Sequence, residues 1–443
     1  MPSATFKVLI AGGGPVGLTA ALALSRANID YILLEKHAHI VSEVGSDLVL
    51  SPVSLRALSQ LGLYSDLSSA STPLSTIQRI DHDGNNLGEI KMFEYMRENF
   101  GEPPRVLRRR DLCQLLLDKL PCTRTIFCSK EIREIKETTE GVTAICSDNT
   151  HYEADMIIGA DGVHSQVRAH INGLRTAQPA KTPSEGIGFF KASYICLWIR
   201  FSAEGLFSGS TFETHGSGAS TQMFVSPDHA AAGIYVKASS PITEHKSFTQ
   251  QDEEALINRW RHLPLSTDRS ITLGRMYDRR IASGLTALQE GVHAAWSSKG
   301  RSVLVGDAAH VFSPITGAGC NNGIMDVVVL SNKLHSVLAT ATSKADVREL
   351  GAVFHSYQSS RFEKVSAECQ MASNVTATAT WQSTMRRLAD QYLISQSWVQ
   401  SLIAKQASAE ISRAPCFQFL PADEHVHGKI SWVVVQDSIK GEQ

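Results

Sequence analysis

The chain has 443 residues, 43 % of them hydrophobic, and 42 Lys and Arg against 44 Asp and Glu give a formal charge of −2. That length asks for more than one structural unit, and the charge balance excludes a nucleic-acid-binding field or an acidic tail. Its apolar runs fall short of the ~18 residues a transmembrane segment needs, its eight cysteines form no C-x-x-C pair, and its start shows no signal peptide, so a cytoplasmic protein with reduced thiols is expected.

In chain order, Val8 to Ala11 is a short apolar run suited to a buried parallel strand. Gly12, Gly14 and Gly17 follow as G-x-G-x-x-G. The first glycine permits a tight turn, the second lets the backbone approach a pyrophosphate, and the third lets a helix pack on the strand. A helix from about Pro15 to Ala27 aims its N-terminus at the phosphates. Tyr31 to Leu34 reads as the second strand, and Glu35 ends it, 23 positions after Gly12. An acid there takes a ribose 2′-hydroxyl and repels a 2′-phosphate. The stretch therefore points to an ADP-ribose moiety, and by itself leaves FAD and NAD both open.

A helix is expected around Val53 to Leu63. In LRRRDLCQLLLDKL, Asp111 starts another, with Leu112, Leu115, Leu116 and Leu120 inward. Arg108, Arg109 and Arg110 precede it, and for two of the three a solvated surface charge is the expected reading. DMIIGADGVHSQVR, residues 155 to 168, reads as a strand, a turn holding Asp161, and a helix from Ser165. From about 176 to 270 the pattern becomes short and alternating, as in KASYICLWIRF, which suggests a sheet. QQDEEA at 250 to 255 reads as a solvated helix start.

RSVLVGDAAHVFSPITGAGCNNGIMD, residues 301 to 326, reads as a strand delivering Asp307, a break at Pro314, and a helix opened by Gly317-Ala318-Gly319 and running from about Asn321. Asp307 can accept hydrogen bonds from ribityl hydroxyls. The helix start at Gly319, Cys320 and Asn321 offers free N–H groups and a positive dipole end, fit to stabilise charge on a reduced flavin. Helical patterns then dominate to about Ser412. The pair His425-x-His427 has no third ligand in view, and no metal is expected.

This ordered set, G-x-G-x-x-G, then D-G, then G-D with P-x-x-G-x-G-x-N, resembles the class A FAD-dependent aromatic hydroxylase family over roughly residues 6 to 370. VGSDLVLSPVSLRALSQLG and YDRRIASGLTALQEGVHAAWSSKGRSVLVGDAAH are similar to fungal flavin monooxygenases of secondary metabolism, with indole-diterpene and meroterpenoid epoxidases and hydroxylases the nearest group. The resemblance implies FAD, NAD(P)H, O2 and a lipophilic small substrate. It assigns Glu35 to the adenosine ribose, Gly45 to a loop beside the flavin, Arg109 to the pyrophosphate, Asp307 to the ribityl chain and Cys320 to the small-residue place of the glycine turn. Gly323 and Met325 depart from the family's usual Ala and Glu. Its hydrophobic C-terminal membrane segments have no counterpart, so close membrane attachment is not expected.

The fold class expected is α/β: a Rossmann-like FAD-binding domain with an inserted mixed β-sheet substrate domain and C-terminal helices. The expected units are 1–175 and 271–335 for FAD, 176–270 for the sheet, and 336–443 for the helical end. With one dinucleotide fingerprint, NAD(P)H is expected to bind transiently, and O2 to add at flavin C4a as a hydroperoxide whose distal oxygen passes to an alkene or activated ring. No catalytic side chain stands out. Arg200 and His215 are candidates for facing substrate, with a structural role the commoner reading for both; His310 reads as a packing residue behind Asp307. Tyr194 and Trp198 are pocket wall or core. Rival readings are a flavin oxidase or oxidative cyclase, a halogenase (whose W-x-W-x-I-P signature is missing), and a non-catalytic flavin-fold binding module.

Overall fold

The computed structural model describes residues 6–42, 45–173, 190–341, 343–422 and 424–433. A five-stranded parallel sheet carries the dinucleotide half, in the order Ser302–Leu304, Met156–Gly159, Lys7–Ala11, Asp30–Leu34, Ile126–Phe127. Val8, Leu9 and Ile10 are fully buried at its centre, each worth about 1.5–3 kcal/mol as core. The helix Pro15–Arg26 covers one face, with Pro at its first turn, where a missing N–H costs nothing.

A seven-stranded sheet forms the second layer, in the order Ala282–Gln289, Ala192–Ser202, His229–Ile242, Ala219–Val225, Thr211–Gly216, Ile77–Asp81, Asn86–Ile90. Only the pairing of Thr211–Gly216 with Ile77–Asp81 is parallel. Alternation sorts its side chains. Leu197, Ile199, Phe201, Met223 and Ile234 pack outward with Ile257 and Leu263, beside the helix Gln250–Trp260. Tyr194, Cys196 and Tyr235 point the other way, against Ile315 and Ala379.

The sheet is wider than the sequence implied. The hairpin Ile77–Ile90 and the strand Ala282–Gln289 lie outside 176–270 yet complete it. Strand pairing joins segments that composition cannot associate, so the expected unit boundaries divide the sheet. The boundary at 175/176 lies outside the described residues. The helices Val347–Ala379, Thr384–Tyr392 and Ser397–Ile411 form the C-terminal region. Among the described residues no helix is long and apolar enough to cross a membrane.

Candidate functional site

Glycines open the site. Gly12 sits at φ +100°, and a Cβ there would stand 2.4 Å from the carbonyl oxygen of Ala160. A Cβ on Gly17 would stand 2.0 Å from the carbonyl oxygen of Gly12. Any side chain at either position breaks the turn, so the loop exists only as glycine. Glu35 closes the turn from the far side. Its carboxylate accepts from the N–H of Gly13 at 2.7 Å and of His37 at 2.8 Å. Next to it, a cleft of about 490 Å³ is lined by Ala38, His39, Ile40, Leu117, Thr123 and Cys128, placed for the adenine end of a dinucleotide.

The three arginines separate as their partners dictate. Arg108 pairs with Asp111 at 2.8 Å and Arg110 with the same carboxylate at 3.5 Å. Arg109 has no ion pair among the described residues, and its guanidinium lies 3.1 Å from where a Cβ on Gly14 would be. The helix it begins spans Arg109–Asp118, two residues earlier than Asp111.

Asp161 has two roles in view. One oxygen, Oδ2, accepts from the N–H of Gln166 at 2.7 Å and of Val167 at 3.2 Å, which starts the helix Gln166–Ile171. The other, Oδ1, is buried without a partner among the described residues, and burial raises the pKa of this carboxyl. An orphaned acceptor beside the glycine turn awaits a donor from water or ligand.

Arg168 staples this loop to the next one, donating to the carbonyl of Ala308 at 2.8 Å. Behind it, Asp326 accepts from the N–H of Gly306 at 3.0 Å and is held by His310 at 2.6 Å and Arg361 at 2.9 Å. His310 thus supports the turn rather than facing the ligand. Asp307 itself is accessible while Gly306 and Ala308 are buried. Desolvation by the surrounding protein raises its pKa, and His310, Arg109 and Arg168 oppose the rise.

The helix opposite runs from Ala318 to Leu338, three residues earlier than expected. Its N-cap is Gly317 at φ +63°, and no side chain caps its first turn. Those N–H groups remain for an anionic or carbonyl ligand. A Cβ on Gly319 would lie 3.6 Å from Oδ1 of Asp307, so the two motifs share one cleft. Cys320 lines the same turn, and burial pushes its thiol up to about 12. Asn321 is different. Its amide donates to the carbonyls of Val49 at 2.8 Å and Gly317 at 2.7 Å and accepts from the N–H of Ser51 at 2.9 Å. That side chain is a clamp between the helix and the strand Asp47–Leu50, and only its backbone is available to a cofactor.

Arg200 lies on the Trp198 face of its strand, its guanidinium 5.9 Å from that ring. It donates to the carbonyl of Gly45 at 3.0 Å and to Asp47 at 2.9 Å, and Asp47 also meets His229 at 2.7 Å. Burial alone would raise the Asp47 carboxyl; His229 and Arg200 bring it below its ordinary value. Arg200 therefore fixes the Gly45 loop. His215 is likewise enclosed, between Asp390 at 3.0 Å and Glu213 at 3.1 Å. Burial lowers it, yet the two carboxylates lift it to about 9.

The face of the seven-stranded sheet that carries His215 is the candidate wall of a substrate recess. Arg79, Glu213, Gln222, Gly233, Trp198 and Gly284 form one cross-strand row. At its middle, Gly233 is half-buried between buried neighbours. A Cβ there would meet nothing nearer than 3.5 Å. The row is tied to the cofactor side: Gln222 donates to the carbonyl of Ile315 at 3.0 Å, in the turn Pro314–Thr316 that precedes the uncapped helix. Sequence reading missed Glu213, Gln222 and Gly233. The one available signal was the two-residue spacing of Glu213 and His215 in an otherwise uncharged strand.

Comparison with known proteins agrees with this geometry. The model of the FAD binding domain family matches residues 5–346. The FAD-dependent monooxygenase olcE of Penicillium canescens is 29 % identical over 430 residues, covering 94 % of this chain and 90 % of its own. The FAD-dependent monooxygenase ausM of Emericella nidulans is 29 % identical over 425 residues, covering 94 % and 87 %. Among solved structures, HpxO of Klebsiella pneumoniae with FAD and uric acid superposes with a TM-score of 0.68 at 18 % identity, covering 92 % of this chain and 96 % of that one. A salicylate hydroxylase–substrate complex gives 0.67 at 17 %, covering 93 % and 99 %.

Proposed function

The chain belongs to the FAD binding domain family and is an FAD-dependent monooxygenase; from that premise we propose that it oxygenates a lipophilic small molecule of secondary metabolism, with O2 as oxygen source and NAD(P)H as a transient electron donor. The observation that carries the reading is the approach of Asp307 to the uncapped Gly319 turn, which the Gln222–Ile315 hydrogen bond ties to the seven-stranded sheet.

The residues present fit FAD. Gly12 and Gly14 leave room for a pyrophosphate, and Arg109, without an ion pair among the described residues, would supply a cation beside it. Glu35 would hold the ribose, and Asp307 and the backbone of Gly319, Cys320 and Asn321 the ribityl and ring end. When bound, FAD supplies the redox and oxygen-activating chemistry. The protein's part is to bind, orient and exclude water. Arg200 and Asp47 lock the Gly45 loop; Asn321 locks the strand after it. Trp198, Tyr235 and Gly233 offer a largely apolar floor, which suits a lipophilic substrate and keeps water from competing.

Fungal relatives named as FAD-dependent monooxygenases support placing the substrate in secondary metabolism. Anaerobic mixing with NADH and with NADPH tests the electron donor: bleaching of the flavin band by either supports the reading, and a flavin that neither reduces contradicts it.

A further inference from the structure

Resting on the monooxygenase reading, we propose that Glu213 is the polar anchor of the substrate recess, selecting lipophilic molecules that carry a hydroxyl donor over those that carry a carboxylate. The strand Thr211–Gly216 alternates, so Glu213 and His215 share the recess face while Phe212 and Thr214 turn away from it. Glu213 adjoins Gln222 in the row that leads to Gly233. Its Oε1 accepts from the Gln222 amide at 2.7 Å, and its Oε2 meets His215 at 3.1 Å. Each carboxylate oxygen holds one partner here and has room for a second.

Of the two carboxylates flanking His215, only one reaches accessible space. The side chain of Asp390 is 0 % exposed and that of Glu213 is 12 % exposed. Asp390 has its own complement: Arg79 at 2.6 Å and the indole N–H of Trp381 at 2.8 Å. The buried group at the back is therefore self-sufficient. His215, Asp390 and Arg79 form a support that fixes Glu213 facing forward, with His215 and Asp390 as positioning residues. Gln222 sets the depth of the anchor, because its one amide nitrogen touches both Glu213 and the Ile315 carbonyl. A donor bound to Glu213 sits one side chain away from the turn that leads into the cofactor helix.

An acceptor-only group recognises a hydroxyl or N–H and offers an anion no hydrogen-bond donor, and a charged hydrogen bond of this kind changes affinity roughly ten- to a hundredfold. The test uses the FAD-loaded enzyme and three probes of one shape: a prenylated phenol, its methyl ether, and the matching prenylated benzoic acid. Calorimetry measures each affinity for the unmodified protein, Glu213→Gln and Glu213→Leu. The expected order is phenol above ether above acid. In Glu213→Gln, whose amide can donate, the acid gains roughly tenfold or more; in Glu213→Leu the phenol loses its advantage over the ether. Equal binding of phenol and acid by the unmodified enzyme, failure to bind any of the three, or an unchanged order in Glu213→Gln overturns the anchor. Should Glu213→Leu fail to fold, Glu213→Gln still decides. Flavin content and flavin reduction by NAD(P)H, measured on the same preparations, report on the monooxygenase reading separately.

Discussion

The guanidinium of Arg109 stands 3.1 Å from the position that a Cβ on Gly14 would occupy, although 95 residues separate the two in sequence. The glycine turn and Arg109, which has no ion pair among the described residues, thus form two sides of one gap. Arg109→Leu removes the cation without adding bulk, and loss of a charge-assisted contact costs about 1.5–3 kcal/mol. FAD affinity should fall roughly ten- to a hundredfold, read from the flavin-to-protein absorbance ratio after dialysis. Arg108→Leu, whose charge is already paired with Asp111, should retain FAD as the unmodified protein does.

Asp307→Ala tests the other end of the cofactor. The carboxyl opens on the cleft shared with Gly319, so its removal should markedly weaken flavin retention while far-ultraviolet circular dichroism stays unchanged. A variant that remains fully flavinated and active contradicts the assignment of this residue.

Gly233→Val fills the recess from its floor. The site has ordinary clearance for a Cβ and lies in a strand, where valine is favoured, so the fold and the flavin content should persist. Substrate-stimulated NAD(P)H consumption should drop at least roughly tenfold, since bulk in a fitted pocket is worth about 1–3 kcal/mol.

Arg200→Leu leaves Asp47 buried with His229 as its one remaining ion-pair partner among the described residues. Breaking a buried ion pair on one side costs about 3–5 kcal/mol, and the thermal midpoint should fall by several degrees. The Gly45 loop should loosen with it, seen as faster proteolysis or amide exchange around residues 45–50.

His215 gives stability a pH dependence of known sign. Its folded pKa is raised, by Asp390 and Glu213 against burial, from 6.5 to about 9. A raised base binds protons more tightly when folded, so its contribution is complete below pH 6.5 and lost as the pH rises through 9. Asp390, held below its ordinary value, acts only in acid and leaves this window clear. His229 is raised too, so its loss runs in the same direction. The thermal midpoint should fall between these pH values, and the fall should be shallower in His215→Gln.

Local motifs made the first half of the site legible. The turn at Gly12, the acid at Glu35, the break at Pro314 and the helix opened by Gly317 each arise from steric rules that act within a few residues. The rest depends on long-range pairing. Arg200 meets Asp47 across 153 positions and His215 meets Asp390 across 175, and nothing in either strand names its partner. Asn321 looked like a ligand because it sits in the glycine turn, yet its amide serves Val49 and Ser51. Gly233 carries no local signal, because its row neighbours Trp198 and Gln222 reach it only when the strands pair.

Product analysis under 18O2 tests the central claim most directly. Candidate prenylated or polyketide-derived precursors are supplied with NAD(P)H and the FAD-loaded enzyme, and the product is weighed by mass spectrometry. The product is expected to carry one heavy oxygen atom, derived from the gas. An oxidised product free of 18O, formed alongside stoichiometric hydrogen peroxide, would make the protein an oxidase and contradict it.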